Sequence, residues 1–233
     1  MLNNYFSREI SLIGEEKFLK LQNARVAVFG LGGVGSYVVE GLARAGISNF
    51  LLVDDDDYSV SNINRQLYAT IDTLGRKKVE VSKERILSIN PNAKVEILNF
   101  FVLDNLGGID LSLYDYVVDA IDTVTAKLTL IKECKKLGVS IISCMGTGNK
   151  LNPSLIKIDD IKNTKVCPLC RVMRKLLKDN GIENLKVAYS EEQPLKPLFA
   201  VSEDKNAPSS VVFVPAVAGL TIAHAVFNDI ISK

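Results

Sequence analysis

A glycine-rich segment, GLGGVG at positions 30–35, is the first candidate for chemistry in this chain. It follows a short apolar run at 25–29 that is typical of a buried strand, and a helical pattern extends over 33–45. At such a junction, backbone N–H groups and the positive end of the helix can approach a phosphate. The pattern favours nucleotide binding over its alternative, tight strand-to-helix packing alone. The predicted phosphate-binding glycines are Gly30, Gly32, Gly33 and Gly35.

Acidic and polar residues follow the second predicted strand, at 50–53. Asp54 stands where a carboxylate can accept hydrogen bonds from ribose hydroxyls, so NAD-dependent oxidoreduction is the first hypothesis. The next residues disfavour it. Asp54 opens a run of four acidic residues, and SNINRQ at 61–66 has no role in hydride transfer but places polar donors beside a phosphate. The sequence therefore favours ATP as the nucleotide.

These motifs, taken in order, resemble the adenylation core of the ubiquitin-activating-like superfamily. The resemblance spans residues 8–150 and rests on four features: GLGGVGS, VDDDDYSVSNINRQ, Lys78 early in a helix, and DAIDT. It implies a role in ATP binding for each matching residue. The implied roles are contact with the triphosphate for Gly33, with the ribose for Asp54, with phosphates for Asn62, Arg65 and Lys78, and with Mg²⁺ for Asp122.

The chemistry of adenylation agrees with these roles. A carboxylate that attacks the α-phosphate needs no general base, but the charge on the phosphorus centre and on the leaving pyrophosphate must be neutralised. Arg65 and Lys78 supply positive charge. Asp122 is expected at the carboxyl edge of a parallel sheet, where a hard oxygen ligand suits Mg²⁺. Capping of the helix that follows from Thr123 is the alternative role of Asp122, and the two roles are compatible.

The N-terminal segment FSRE, at 6–9, is similar to the opening segment of the superfamily, in which an arginine crosses a dimer interface to the partner's nucleotide. The resemblance implies a homodimer with Arg8 as a catalytic residue supplied in trans, a known way to stabilise phosphoryl charge. Without the resemblance, Arg8 is interpreted as a solvated helix residue.

The cysteines disfavour one branch of the superfamily. Members that activate sulfur-carrier proteins usually have two CxxC pairs that build a zinc site, whereas this chain has a single pair, Cys167 and Cys170. Zinc is therefore not expected, and two ordinary thiols at a helix start are the simplest interpretation. No sequence signature of an activated thiolate surrounds Cys144, Cys167 or Cys170, which disfavours covalent catalysis.

The second half resembles the tRNA threonylcarbamoyladenosine dehydratases. The motifs that carry this resemblance are CPLCRVMRKLLKDNGI, KVAYSEEQPLKP and SSVVFVPAVAGLTIAHAVFNDII, which cover most of 160–231. The implied substrate is a tRNA whose threonylcarbamoyladenosine carboxylate is adenylated and then attacked by the carbamoyl group of the same side chain, with release of AMP. High effective molarity of the tethered nucleophile makes a thioester cysteine unnecessary. An adenylyltransferase for a ubiquitin-like or sulfur-carrier protein is the alternative.

A basic stripe lies in the first of these motifs. Helical spacing puts four cations on one face, opposite Val172, Met173, Leu176 and Leu177: Arg171, Arg174, Lys175 and Lys178. Such a stripe can bind an RNA backbone, although a basic face alone is more often merely solvated. The resemblance favours RNA binding. The sequence leaves open a monovalent cation and sulfur or redox partner proteins.

The elements that must position these residues alternate between strand and helix. The predicted strands are 25–29, 50–53, 94–98, 116–119, 139–144, 155–158 and 186–189, and the predicted helices are 7–21, 33–45, 74–89, 123–137, a short one from Pro168, and 211–231. This order predicts an α/β, Rossmann-like fold with a mainly parallel sheet and helices on both faces. A polar loop at 191–210 is long enough for a mobile substrate-side lid.

Composition sets broader limits. The chain of 233 residues is 47% apolar, so we expect one domain, with a nucleotide-binding core at 1–150 and a smaller substrate-side region at 151–233. A net charge of +1 excludes RNA binding by the global field and requires a local patch. The N-terminus lacks a signal-peptide pattern, and polar residues interrupt the apolar segment at 211–231. The sequence therefore predicts a cytoplasmic protein with a buried terminal helix and no stable membrane insertion.

Overall fold

The computed structural model describes residues 4–199 and 208–233. In these residues, seven strands form one sheet in the order β3-β2-β1-β4-β5-β7-β6. The strands are β1 (Arg25–Phe29), β2 (Asn49–Val53), β3 (Lys94–Leu98), β4 (Tyr116–Asp119), β5 (Ser140–Cys144), β6 (Ile156–Asp160) and β7 (Lys186–Ser190). All neighbouring pairs are parallel except β6 and β7, which are antiparallel.

Helices cover both faces of the sheet. They are α1 (Ser7–Ile13), α2 (Glu15–Asn23), α3 (Gly35–Arg44), α4 (Lys78–Ile89), α5 (Val124–Leu137), α6 (Pro168–Asp179) and α7 (Phe213–Ile231). Successive side chains of a strand point to opposite faces, so Val26 and Val28 pack in the core with α3 and α7, while Ala27 and Phe29 pack in the core with α5 and α6. The predicted α/β, Rossmann-like fold is confirmed.

Two predicted helix boundaries were wrong, and a glycine explains each. The helix expected over 7–21 is two helices, because Gly14 between them has φ 84° and ψ 157°, far from helical values. The helix expected from Leu74 begins at Lys78, because Gly75 has a φ of +76° in the preceding turn. Lys78 thus occupies the first position of α4.

The terminal helix α7 packs across α3 at a close crossing. A Cβ on Gly219 would lie 2.5 Å from the Val34 carbonyl oxygen, and one on Gly41 would lie 2.8 Å from the Ala223 Cβ. Only glycine permits this approach. Within the described residues, α7 is the one helix long and apolar enough by length and composition to cross a membrane, and Val214, Ala218, Ile222 and Val226 of this helix are buried in the protein core.

Candidate active site

A cavity of about 660 Å³ opens at the carboxyl ends of the parallel strands. The chain leaves β1 and β4 in opposite directions along the sheet, which makes their junction the switch point where nucleotides bind in such folds. The residues after these two strands are in close contact: a Cβ on Gly30 would lie 2.6 Å from the carbonyl oxygen of Ala120. Glycine at position 30 is therefore required for the two strand ends to meet.

The predicted phosphate-binding glycines divide into two groups. Gly30, Gly32 and Gly33 line the cavity next to the N-terminus of α3, where backbone N–H groups lack helical partners. Gly35 is buried and does not line the cavity, and a Cβ there would lie 1.8 Å from the Gly30 carbonyl oxygen. The packing alternative weighed from the sequence therefore describes Gly35, while the other three fit a phosphate cradle.

Asp54 connects the glycine turn to the end of β2. Its carboxylate accepts a hydrogen bond of 2.6 Å from the Leu31 N–H and one of 2.9 Å from the Asp56 N–H. Burial raises the pKa of this carboxyl, and the nearby Lys78 ammonium opposes that rise. Asp54 lines the cavity, in the position expected for a ribose-binding carboxylate.

Two cations face the cavity from different segments. Lys78 is buried, and its Nζ lies 2.5 Å from an oxygen of Asp56 and 3.8 Å from an oxygen of Asp54. Arg65 is half-buried and donates from Nη1 to the Ser61 carbonyl oxygen at 2.6 Å. Both side chains line the cavity and carry charge suited to phosphate oxygens.

Two amide side chains, Asn62 and Gln66, also line the cavity. Asn62 is buried, and its Oδ1 accepts a hydrogen bond of 3.1 Å from the Ser59 N–H, which fixes the turn that carries Arg65. Gln66 is also buried, and its Oε1 has no hydrogen-bond partner within the described residues. A buried amide oxygen without a protein partner on a cavity wall is free to accept a hydrogen bond from a water or a ligand. Gln66 was missed as a site residue, although it belongs to the SNINRQ motif.

Asp122 lies three residues beyond the end of β4 and is exposed on the cavity wall. The N-cap residue of α5 is Thr123, and no side-chain capping hydrogen bond is present there. The capping alternative for Asp122 is therefore not observed. Its carboxylate is available to a cation at the carboxyl edge of the sheet.

A buried ion pair supports the loop that carries Asp122. Lys127 donates from Nζ to both carboxylate oxygens of Asp119 at 3.1 Å and to the Cys144 carbonyl oxygen at 2.7 Å. Asp119 also accepts from the Ile121 N–H at 3.1 Å and from the Ser143 hydroxyl. Both charged side chains are fully buried. Sequence reasoning missed this pair, because its members are distinguished by burial and not by motif.

The second half of the chain closes the other side of the cavity. Its lining residues include Gly146, Thr147, Gly148, Leu169, Pro208, Ser210 and Pro215. Asn149 ties the two ends of the expected lid together: its N–H donates to the Ser209 carbonyl oxygen at 2.7 Å, and its carbonyl oxygen accepts from the Leu195 N–H at 2.7 Å. The middle of the expected lid, residues 200–207, lies outside the described residues.

The basic stripe of α6 is less uniform than helical spacing indicated. Arg174 is half-buried and donates from Nη1 to the carbonyl oxygens of Ile161 and Thr164, at 3.0 and 2.9 Å. Its guanidinium therefore holds the preceding loop. The other three cations are exposed: Arg171, Lys175 and Lys178. Val172, expected on the buried face, is 46% exposed.

Arg8 lies on the exposed surface of α1 and does not line the cavity of its own chain.

The cysteines near the cavity differ in the pKa of their thiols. Burial raises the pKa of Cys144 to about 12. In contrast, a hydrogen bond from the Cys170 thiol lowers the pKa of Cys167. The expectation that no cysteine takes part in covalent catalysis stays a prediction.

The geometry of the site defines a class of protein. A doubly wound sheet with a switch-point cavity, lined by glycines, cations and carboxylates, is the architecture of nucleotide-binding α/β enzymes. The chain belongs to the ThiF family, whose model matches residues 6–228.

Relatives within this family are similar over most of the chain. The tRNA threonylcarbamoyladenosine dehydratase of Bacillus subtilis (strain 168) is 40% identical, over 97% of this chain and 94% of that protein. The protein of the same name from Haemophilus influenzae is 42% identical, over 75% of this chain and 68% of that protein.

Solved structures agree with these relatives. The Escherichia coli tRNA N6-threonylcarbamoyladenosine dehydratase in complex with AMP is 30% identical, with a TM-score of 0.91 over 100% of this chain and 98% of that chain. The same E. coli protein in complex with ATP has a TM-score of 0.88. E. coli MccB with ATP, at 22% identity and a TM-score of 0.65, shares the fold.

Proposed function

We propose that this protein is an ATP-dependent tRNA threonylcarbamoyladenosine dehydratase, which adenylates the carboxylate of the modified adenosine and closes it to the cyclic form. One observation carries the proposal: six residues from four chain segments line a single cavity. They are Gly33, Asp54, Asn62, Arg65, Lys78 and Asp122. The similarity to the B. subtilis dehydratase over nearly the whole of both chains supports the choice of substrate.

The reaction has two steps, and the cavity residues serve the first. The threonyl carboxylate attacks the α-phosphate of ATP and pyrophosphate leaves, which forms an acyl-adenylate. Arg65 and Lys78 neutralise the charge that develops on the phosphoryl oxygens. Lys78 is held in place by Asp54 and Asp56, so its charge is positioned before the reaction begins.

The second step needs positioning more than it needs a catalytic group. The carbamoyl group attacks the activated carbonyl of the same side chain, the ring closes, and AMP leaves. Because both groups belong to one substituent, no cysteine is required to carry the acyl group. The protein must keep water from the acyl-adenylate, and Gly148, Pro208 and Ser210, next to the hydrogen bond between Asn149 and Ser209, line this side of the cavity.

The cavity residues fit Mg²⁺ as well as ATP. Asp122 offers an exposed hard oxygen on the wall shared with Arg65 and Lys78. A magnesium ion held by Asp122 would supply further positive charge to the departing pyrophosphate. The carboxylates of Asp54, Asp55 and Asp56 also lie within 4.8 Å of one another, but Lys78 already compensates two of them.

RNA binding and a shared active site complete the proposal. The exposed cations Arg171, Lys175 and Lys178 of α6 contact the tRNA backbone. Arg8 reaches the nucleotide of a second copy in a homodimer, as the resemblance of its FSRE segment implies, and it is exposed on α1 outside the cavity of its own chain. The reaction on tRNA takes place in the cytoplasm, the compartment that the sequence predicts.

Mass spectrometry of tRNA nucleosides tests the proposal directly. The protein is incubated with ATP, Mg²⁺ and tRNA that carries threonylcarbamoyladenosine. We expect that nucleoside to lose one water, with one AMP formed per product. The competing adenylyltransferase predicts instead that a ubiquitin-like or sulfur-carrier protein stimulates exchange between ATP and pyrophosphate while the tRNA nucleoside is unchanged. That result would overturn the proposal.

A further inference from the structure

Two thiols stand at the start of α6 and have no role in the proposed reaction. Cys167 is the N-cap residue of this helix, and Cys170 lies three residues later in its first turn. Both are free, with exposed fractions of 3% and 1%. They lie on the sheet face covered by α5 and α6, beside the cavity wall formed by Gly146 and Leu169.

The spacing suits a disulfide. Residues three apart at a helix start have Cα atoms about 5 Å apart, within the separation of about 4.4 to 6.8 Å that disulfides span. Cys167 has extended backbone angles, φ −63° and ψ 119°, and Pro168 follows at the first helical position. A thiol at the N-cap with a second thiol one turn later is the arrangement found in dithiol redox motifs, where the helix terminus stabilises the first thiolate.

The surroundings of Cys167 favour a negative charge. Lys150 is 97% buried, with 3% exposure, and donates from Nζ to the Gly146 carbonyl oxygen at 3.0 Å and to the Ser190 carbonyl oxygen at 3.4 Å. Within the described residues no carboxylate pairs with this ammonium. A buried charge without a counter-charge is costly, and the Lys150 ammonium is one of the causes that lower the pKa of Cys167.

The pKa values of the two thiols shift in opposite directions. A hydrogen bond from the Cys170 thiol, a backbone N–H at Gly146 and the charge of Lys150 lower the pKa of Cys167. The same contact with Cys167 raises the pKa of Cys170. One thiol is therefore the attacking group and the other keeps its proton, as a resolving thiol does.

The nucleotide cavity comes close to this pair, although neither thiol lines it. Gly146 and Leu169 line the cavity, and a Cβ built on Gly146 would lie 3.9 Å from the Cys167 sulfur. Cys144 lines the same cavity, but burial raises its pKa to about 12. Cys144 lines the cavity directly, whereas Cys167 lies behind Gly146 and Leu169. Faster reaction at Cys167 than at Cys144 would therefore reflect activation and not access, which provides an internal control.

We propose that Cys167 and Cys170 form a reversible thiol–disulfide site, which low-molecular-weight disulfides reach through the nucleotide cavity. The Cys167 thiolate attacks one sulfur of the small disulfide, forms a mixed disulfide and releases one thiolate. Cys170 then loses its proton to that thiolate and attacks the Cys167 sulfur, and the second thiolate leaves. The protein dithiol is oxidised by two electrons, and the small disulfide is reduced to two thiols.

The test uses oxidised glutathione on the full chain, with acid quenching, alkylation of free thiols and peptide mass spectrometry. We expect a disulfide between Cys167 and Cys170, with Cys134 and Cys144 alkylated as free thiols. In Cys170→Ser, where the hydroxyl keeps a donor beside Cys167, one glutathione remains on Cys167. In Cys167→Ser the reaction is lost. Equal glutathionylation of Cys144 and Cys167, or none at Cys167, would overturn the proposal.

Two further measurements separate this site from a merely accessible thiol. In Cys170→Ser, the rate of glutathionylation persists well below pH values of about 8.5, where an ordinary thiol is protonated. Saturating AMP slows the reaction about tenfold, because the nucleotide fills the cavity. This second expectation rests on the proposed function, so AMP binding is measured on the same protein by calorimetry. Bound AMP without protection overturns the route through the cavity, whereas absent AMP binding contradicts the proposed function itself.

Discussion

Lys78 shows how the environment of a single residue prepares it for chemistry. Its ammonium is buried at the first position of α4 and contacts Asp54 and Asp56. Burial reduces the screening of its charge by water, so the charge acts more strongly on a phosphate in the cavity. Its neighbour Lys77 points away from this site and pairs with Asp57 at the surface.

Replacement of Lys78 should therefore affect the reaction far more than replacement of its neighbour. We expect Lys78→Ala to lower the rate of AMP formation by about 100-fold or more, because a charge needed during phosphoryl displacement is lost. Lys77→Ala is the matched control and should keep nearly the parent rate. Steady-state assays of AMP formation measure both. A Lys78→Ala rate within a few-fold of the control would remove this residue from the catalytic group.

Asp122 differs from Asp54 in exposure and hence in role. Asp122→Asn removes the charge but preserves the shape, so we expect AMP formation to require much higher Mg²⁺ concentrations, while the melting temperature stays close to that of the parent. Asp72→Asn, on an exposed turn outside the cavity, is the control. Titration of activity with Mg²⁺ gives the comparison. An unchanged Mg²⁺ dependence would show that the metal is held elsewhere.

At the scale of elements, the junction of β4, β5 and α5 positions the Asp122 loop. Lys127 extends from the first turn of α5 to Asp119 at the end of β4 and to the backbone at the end of β5. The Ile121 N–H is bound to the same carboxylate. A buried ion pair of this kind is weak evidence of net stabilisation, but removal of one partner leaves an uncompensated charge.

We expect Lys127→Met to lower the free energy of unfolding by about 3 to 5 kcal/mol, because the Asp119 carboxylate remains buried without its partner. The double variant Asp119→Asn/Lys127→Met should regain part of this loss. Lys136→Met, which breaks an exposed pair with Glu133, is the control and should change stability by less than about 1 kcal/mol. Urea denaturation measures all three. Similar losses for Lys127→Met and the control would contradict this account.

Helix α6 carries one cation that binds the protein backbone, Arg174, and three exposed cations, Arg171, Lys175 and Lys178. We expect replacement of the exposed cations to weaken tRNA binding and replacement of Arg174 to lower stability. Lys175→Glu/Lys178→Glu should weaken tRNA binding and reduce the slope of log affinity against log salt by about two units, since fewer counterions are released. Lys132→Glu/Lys136→Glu makes the same charge change on exposed positions of α5 and is the control. Equal effects of the two double variants would show that the α6 surface has no specific role.

Arg174 should behave unlike its neighbours. Its Nη1 donates to two backbone carbonyl oxygens and to the Thr164 hydroxyl. Arg174→Ala therefore leaves the Thr164 carbonyl oxygen without a partner among the described residues, while the Ile161 carbonyl oxygen keeps the Thr164 hydroxyl as a donor. We expect a loss of about 1 to 3 kcal/mol in the free energy of unfolding. Chemical denaturation with and without tRNA distinguishes this structural role from an RNA contact. Unchanged stability together with weaker tRNA binding would show that Arg174 contacts the RNA.

At the scale of the whole molecule, the question is whether one active site contains residues from one chain or from two. Arg8 is exposed on α1 and does not line the cavity of its own chain, so any role in catalysis requires a second copy. We expect Arg8→Ala and Lys78→Ala to be inactive separately and to recover up to about a quarter of parental activity when mixed. In a hybrid dimer, the subunit with intact Lys78 receives Arg8 from its partner. Demonstrated subunit exchange without recovery would exclude the shared site.

The sequence alone determined the order of elements and the identity of the nucleotide motif. Strand and helix periodicity are local properties, as is the placement of glycine between β1 and α3, and these predicted the α/β sheet. Together with the family resemblance, they also placed eight of the residues that line the cavity. The GLGGVG and SNINRQ motifs are each contained in a few residues. They could therefore be interpreted without knowledge of distant contacts.

The tertiary structure alone decided what distant residues do to one another. Only packing shows that Arg174 binds a loop backbone, that Gly35 is a packing residue, or that Lys127 lies buried against Asp119. The pKa of a side chain also depends on distant neighbours. The CxxC pair is ordinary in the sequence, and the groups that lower the pKa of Cys167 include Lys150 and the Gly146 backbone, which belong to another loop. Burial and electrostatic energies depend on neighbours far apart in the chain, and for that reason local spacing does not reveal them.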